Sequence, residues 1–256
     1  MLSRRDFLKL TGAGLLAASF SRLELASAQV ELSAPLIYSG STRHRYVGLT
    51  YDDCYLANVL QKLETLLDQF PDFHVTFFAV GSALLNTNSK DPGLWQRFHE
   101  KGHEIGYHSW NHDNIGVMSP NTALADYQRW HDALIQVMGF APVVRFARPP
   151  FGVLSHSFDV ICEKNNLVNT MWSTGWGGTP AVGLNAAKKS TNGEIVLMHI
   201  RTDDLNTSTQ AYPWMKENNW TSVTLSKLYN DLIVEKNESE GCDTGEGSTL
   251  TRTCIE

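Results

Sequence analysis

Between residues 45 and 235, short β-prone runs alternate with amphipathic helical ones, and no other feature of the sequence restricts the fold as strongly. "RYVGLTY" (45–51) is rich in β-branched and aromatic residues and predicts a strand. Leu56, Val59, Leu60, Leu63, Leu66, Leu67 and Phe70 then recur at the spacing of one helical face. "HVTFFAV" (74–80), closed by Gly81, reads as a buried strand. A helix from Pro92 to Lys101 and a short strand, "HEIGY" (103–107), follow. Ser119 and Pro120 supply an N-cap and a first-turn proline for a long helix running to Gly139. "PVVRFA" (142–147), "LVNTMW" (167–172), "EIVLMHI" (194–200) and "TSVT" (221–224) are further strand candidates, with helices over 155–165 and 225–235. About seven β/α units without an internal linker predict one α/β domain, barrel-like or wound.

The polar residues fall at one kind of place. Asp52 and Asp53, His108, Arg148, Trp172 and His199 each stand at or just past the C-terminal end of a strand candidate. Barrel enzymes assemble their sites at that rim. In "HSWNH", His108 and His112 are spaced i and i+4, so in a helical turn both imidazoles leave one face. Two histidines and one carboxylate from the first strand make a ligand set with open positions, which is catalytic rather than structural. Neighbouring Asp52 and Asp53 point to opposite faces of a regular strand and share a site only where the backbone turns. One then binds metal and the other acts as base; the plain alternative is an N-cap cluster for the next helix. In "ARPPFG" (147–152) two prolines stiffen the loop beside Arg148, whose planar, permanent charge suits the orientation of a carboxylate such as Asp52. His199 ends an apolar run and is a hydrogen-bonded core residue unless it faces the metal across a pocket.

The N-terminal 28 residues have another character. "SRRDFLK" resembles a twin-arginine export signal, a short apolar stretch follows, and "ASA" at 26–28 suits a signal peptidase. Residues 1–28 are therefore expected to be a signal, 29–44 a lead-in, 45–235 the catalytic domain and 236–256 a tail. Export to the periplasm or beyond follows from that reading. Removing the signal leaves 17 basic and 25 acidic side chains. Such a chain has no electrostatic reason to bind nucleic acid or an anionic membrane, and a neutral or cationic partner fits better. No run of 18 apolar residues exists, so no membrane span is expected in the mature protein. A monomer is the expected state. The four cysteines allow three pairings, and one between Cys242 and Cys254 would tether a Gly/Thr/Ser-rich tail with no apolar pattern.

"TYDD" (50–53), "HSWNH" (108–112), "RPPFG" (148–152), Trp172 and "IVLMH" (195–199), in this order, resemble the five motifs of the NodB-type polysaccharide deacetylases, carbohydrate esterase family four. The likeness extends to "TFFAVG" (76–81) and "GHEIGYH" (102–108) and covers roughly residues 45 to 235. It implies a distorted (β/α) barrel of about seven strands that removes acetyl groups from N-acetylated polysaccharide, such as peptidoglycan or chitin-like polymers of N-acetylglucosamine. It also implies that Asp53, His108 and His112 bind a divalent metal, zinc before others. Asp52 is then the general base, Arg148 its orienting partner and His199 the general acid. The backbone N–H of Phe151 helps hold the oxyanion, and Trp172 with Leu197 lines a slot for the acetyl methyl. Three positions depart from the family pattern. Cys54 stands where glycine is usual, "WSTGWGG" (172–178) lacks the aspartate that partners the catalytic histidine, and "IRTDD" (200–204) lacks Asp-Gly. Asp203 and Asp204 are the carboxylates able to substitute. The same machinery suits O-deacetylation of xylan-like polymers, and a chain with an unsupported acid could be a carbohydrate-binding protein. Hydrolysis by Cys54 is disfavoured, because no nucleophile-elbow or oxyanion pattern surrounds that thiol.

Overall fold

Nine strands in parallel register, among the described residues, form one curled sheet whose C-terminal ends share a rim. They are β1 (Leu36–Ile37), β2 (Tyr46–Asp53), β3 (Thr76–Ala79), β4 (Glu104–Tyr107), β5 (Phe146–Ala147), β6 (Val168–Thr170), β7 (Thr174–Gly175), β8 (Ile195–His199) and β9 (Thr221–Ser222). The computed structural model describes residues 34–239; the expected signal at 1–28, the start of the expected lead-in and the tail with Cys242 and Cys254 lie outside the described residues. The helices are α1 (Ala57–Leu67), α2 (Gly81–Lys90), α3 (Leu94–Glu100), α4 (Pro120–Met138), α5 (His156–Lys164), α6 (Pro180–Ala187), α7 (Thr202–Glu217) and α8 (Leu225–Ser239). Strand order is β1-β6-β5-β4-β3-β2-β8-β7, with β9 pairing the start of β2. The ladder does not close; a single antiparallel bridge, Ser39 to Glu194, joins the stretch after β1 to the start of β8. This is the distorted α/β half-barrel that the motifs imply.

Strand alternation separates two cores. Phe78, Phe146, Val168 and Ile195 point inward and are capped by Leu225 and Leu228 of α8. Leu49, Tyr51, Phe77, Ile105, Tyr107 and Met198 point outward and pack against the helices. Full burial of one phenylalanine such as Phe78 stabilises by roughly 2–3 kcal/mol. Gly106 makes room for that ring: a Cβ there would lie 2.8 Å from Phe78 and 2.9 Å from the Phe146 carbonyl. The same parity places Thr50, Asp52, His108, Arg148 and His199 on inner positions of their strands or one step past them. Function is thus set on a period-2 pattern whose other phase is mainly apolar.

The expected elements shift in several places. Ser119 does cap α4, accepting the Thr122 N–H, and Gly139 ends it at φ 78°. The predicted strand 142–147 shrinks to β5, since Pro142 has no N–H to pair and Val143 is exposed. Helices α2, α6 and α7 and strands β1 and β7 were not expected. Helix α7 carries Thr, Asn and Ser at many positions and Pro213 inside it, so its sequence lacks a strong helical signature. Burial of Leu205, Ala211, Tyr212 and Met215 along one face holds it nonetheless.

Candidate metal centre and active site

At the rim, β2 ends in two carboxylates held differently. Asp52 lies beside His199 in the β2–β8 register. Arg148, just past β5, is wholly buried beneath it. Its Nη1 donates to Asp52 Oδ1 and to Thr50 Oγ1, both at 2.7 Å. Its Nε donates to the Thr170 carbonyl at 3.1 Å and its Nη2 to the Met171 carbonyl at 2.9 Å. The guanidinium also lies 4.1 Å from the centre of the Phe78 ring. Burial lowers the Arg148 pKa, while the charge of Asp52 opposes that and secures the cation.

Asp53 reaches the same rim because the strand turns. Its φ is 71° and that of Cys54 is 67°, left-handed values that cost a non-glycine residue about 1–2 kcal/mol. Asp53 Oδ1 lies 3.3 Å from His112 Nε2 and 3.6 Å from His108 Nε2. It is buried and has no hydrogen-bond partner. Burial raises the Asp53 pKa, but the facing His108, His112 and His199 outweigh it and hold the carboxyl below its ordinary value. Burial, helped by His108, lowers the His112 pKa, which favours the neutral imidazole that a metal needs.

The His108–His112 segment is a loop, not the helical turn predicted from its i, i+4 spacing. Ser109 and His112 both have φ 63°. The N–H groups of Gly81 and Ser82, at the start of α2, donate to the carbonyls of Ser109 and Trp110 at 3.0 and 2.9 Å. Asp126 of α4 accepts the Trp110 N–H at 2.9 Å. These anchors, rather than helical periodicity, bring both imidazoles to Asp53. The Arg148 carbonyl can only accept, so His108 donates to it from Nδ1 at 2.8 Å and turns Nε2 to the centre. One oxygen of Asp53 and one nitrogen each of His108 and His112 lie within 4.8 Å of one another. A buried carboxylate oxygen without a donor, facing two imidazole nitrogens, fits a divalent cation.

A cavity of about 300 Å³ opens above this centre. Asp52, Asp53, His108, His112, Phe151, Trp172, Leu197 and His199 line it, together with Pro149, Gly152 and Arg201. The candidate catalytic, metal and substrate residues therefore meet at one place, Arg148 from below, whereas Cys54 and Asp203 do not line it. Phe151 has φ 60° and stands with its ring 4.5 Å from His112, centre to centre. Gly152, at φ 67°, packs so close to Trp172 that a Cβ would lie 2.8 Å from its ring. His199 has an acidic neighbour after all. Its backbone N–H donates to Asp204 Oδ2 at 2.6 Å, and its Nδ1 lies 3.8 Å from the same oxygen. Asp204 is 3% exposed, whereas Asp203 faces solvent. Arg201 escaped the sequence reading although it follows a strand end by two residues; its Nη2 is 3.8 Å from Asp53 Oδ2. Cys54 and Cys162 are both buried and unpaired.

Comparison with known proteins agrees with this geometry. The family model described as polysaccharide deacetylase matches residues 39–169. An uncharacterized 30.6 kDa protein of Geobacillus stearothermophilus is 26% identical over 208 residues, covering 78% of this chain and 75% of its own. The peptidoglycan-N-acetylglucosamine deacetylase PgdA of Listeria monocytogenes is 26% identical over 212 residues, 79% of this chain. This chain spans only 42% of PgdA. Among solved structures, a family 4 carbohydrate esterase pseudoenzyme from Bacillus anthracis superposes with a TM-score of 0.68 at 22% identity, over 78% of this chain and 70% of its own. With the family model covering half of the sequence, the chain belongs to the polysaccharide deacetylase family.

Proposed function

We propose that the protein is a metal-dependent deacetylase that hydrolyses the N-acetyl groups of N-acetylglucosamine polymers, of the peptidoglycan or chitin type. The observation that carries this reading is the partnerless Asp53 Oδ1 facing His108 and His112, with Asp52 and His199 in the same cavity. Asp53, His108 and His112 would hold the ion, for which their oxygen and nitrogen donors suit zinc. Such an ion, when bound, supplies an acidified water and a Lewis acid for the acetyl oxygen.

The remaining steps belong to the chain. Asp52, fixed by its bond to Arg148, takes the proton of the attacking water. The Phe151 N–H, on a loop held at positive φ, assists the developing oxyanion. Trp172 and Leu197 enclose the methyl group. His199 gives a proton to the departing nitrogen as the C–N bond breaks, leaving acetate and a free amine. Asp204 fixes the backbone of His199 through its N–H and lies 3.8 Å from the ring Nδ1, which places a carboxylate beside the acid. Amide hydrolysis needs that proton more than ester hydrolysis does, because the amine leaves poorly without one. A cell-wall substrate also agrees with the twin-arginine-like start of the sequence and an exported protein.

The test is acetate release from N-acetylglucosamine oligomers and from acetylated xylan, with and without a chelator. Release should require metal and favour the amide substrate. Asp53→Ala should lose the ion itself, whereas Asp52→Asn should keep it and lose about 10²–10⁴ in turnover. Metal-independent release would overturn the mechanism. Binding without release would select a carbohydrate-binding role, and the fold does occur in a pseudoenzyme.

A further inference from the structure

Arg201 is the cation of this cavity that the proposed chemistry leaves unused. It sits between β8 and α7, lines the cavity, and has a side chain 62% exposed. The nearest carboxylate oxygen to its guanidinium is Asp53 Oδ2, at 3.8 Å. An exposed pair at that distance is weak, so the guanidinium keeps donors for another partner. Arg148 offers no such capacity, because its nitrogens already meet Asp52, Thr50 and two carbonyls.

The charge balance at the cavity turns on whether the metal site is filled. The whole sequence carries −6. Around the cavity, Asp52, Asp53 and Asp204 face Arg148 and Arg201, which leaves one net negative charge. A divalent ion held by Asp53, His108 and His112 would reverse that sign. At contact distances the local field outweighs the distant surface charges, which salt screens beyond about 8 Å.

Resting on the deacetylase reading, we infer that Arg201 is a specificity residue that takes a carboxylate on the sugar next to the acetylated one. The favoured substrate is then an acidic amino-sugar polymer rather than a neutral one. A planar fork of N–H donors matches a carboxylate in geometry as well as charge. The acidic composition, which argues for neutral or cationic partners, would not describe the cavity once a divalent ion is held there.

Two tetramers test this: one of N-acetylglucosamine alone, and one alternating it with N-acetylmuramic acid, whose lactyl ether carries a carboxylate. The zinc-loaded protein should show a higher kcat/KM for the acidic tetramer. Arg201→Gln should lower the acidic-to-neutral ratio about tenfold, the low end for a charge-assisted pair because the site is open to water. Arg201→Lys should fall between, and zinc affinity, read by competition with a fluorescent chelator, should stay within about twofold in both variants. An unchanged ratio overturns the inference. So does a parallel loss on both tetramers with weakened zinc binding, which would make Arg201 a support for Asp53. If the wild type releases no acetate from either tetramer, the deacetylase reading fails. The inference is then decided by calorimetric binding of the same two tetramers to wild type and Arg201→Gln, with the same ratio required.

Discussion

Two carboxylates stand at opposite ends of the barrel interior and are stabilised by different means. At the C-terminal rim, Asp52 is bonded to a wholly buried guanidinium. At the other end, Glu104 opens β4 and meets neutral donors: the Thr76 hydroxyl at 3.0 Å, the Ser226 N–H at 3.2 Å and the Ser226 hydroxyl. Arg145 acts on it only through its field and is itself bonded to Asn230 and Ser226. Burial therefore pushes the Glu104 carboxyl above its ordinary range, and the hydroxyls and Arg145 offset that only in part. At the rim a full charge is bonded directly to the acid and fixes its orientation. Neutral donors instead make a latch, which ties α8 to the first residues of β3 and β4.

The strongest way to break this contrast is to remove the cation. Arg148→Met keeps much of the side-chain volume but leaves Asp52 as a buried charge with no counter-ion. Thr50 and the carbonyls of Thr170 and Met171 lose donors as well. Breaking one side of a buried pair costs about 3–5 kcal/mol, so urea unfolding should show a loss of that order. Adding Asp52→Asn to the variant should recover part of it, since the orphaned charge is gone. If Arg148→Met unfolds at the wild-type midpoint, the buried pair is not what holds the rim.

At the other end the effect is smaller and depends on pH. The folded-state pKa of Glu104 is raised above the unfolded value near 4.5. Folded protein therefore keeps its proton over a window in which the unfolded chain has released it. In that window, upward from about pH 4.5, stability falls as pH rises. Glu104→Gln cannot titrate and keeps one acceptor for the Thr76 or Ser226 donors. It should lose about 1 kcal/mol near pH 5, and the gap to wild type should narrow by pH 8. Urea midpoints at the two pH values decide it; a gap that stays constant or widens means that Glu104 is held as a charge.

Which parts of this were legible in the sequence follows from the same physics. Asp52, His108, Arg148 and His199 were legible because each stands at or just past the C-terminal end of a β-prone run. His108 and His112 were found for a reason that the structure replaces, since hydrogen bonds from Gly81 and Ser82 and to Asp126 shape their loop. Those contacts span more than ten residues and leave no local pattern. The turn of Asp53 toward the rim needs a positive φ at two successive residues, and neither Asp nor Cys announces one. Asp204 stayed ambiguous with Asp203 because only the first turn of α7 separates a buried carboxylate from an exposed one. That helix, with Pro213 and few strong helix formers, was itself illegible. Tertiary burial, not propensity, decided it.

Cys54 supplies the finest test, because it lies beside Asp52 and Asp53 yet belongs with Glu104 in its physics. Its thiol is wholly buried, 3.7 Å from the Tyr51 carbonyl, and faces no cation. Burial, with the charges of Asp53 and Asp52 added, pushes its pKa well up. A thiolate there would be both desolvated and repelled, so the side chain stays neutral and unreactive. Cys54→Ser retains a donor for the Tyr51 carbonyl and exchanges one small neutral group for another. Acetate release should stay within about twofold, and stability should fall by about 1 kcal/mol for burying a more polar group. Iodoacetamide should label the native thiol far more slowly than the urea-unfolded one. Rapid labelling in the native state, or a hundredfold loss of turnover in Cys54→Ser, would mean that this rim stabilises a third anion. The guanidinium of Arg148 would then not be the feature that sets the two ends of the barrel apart.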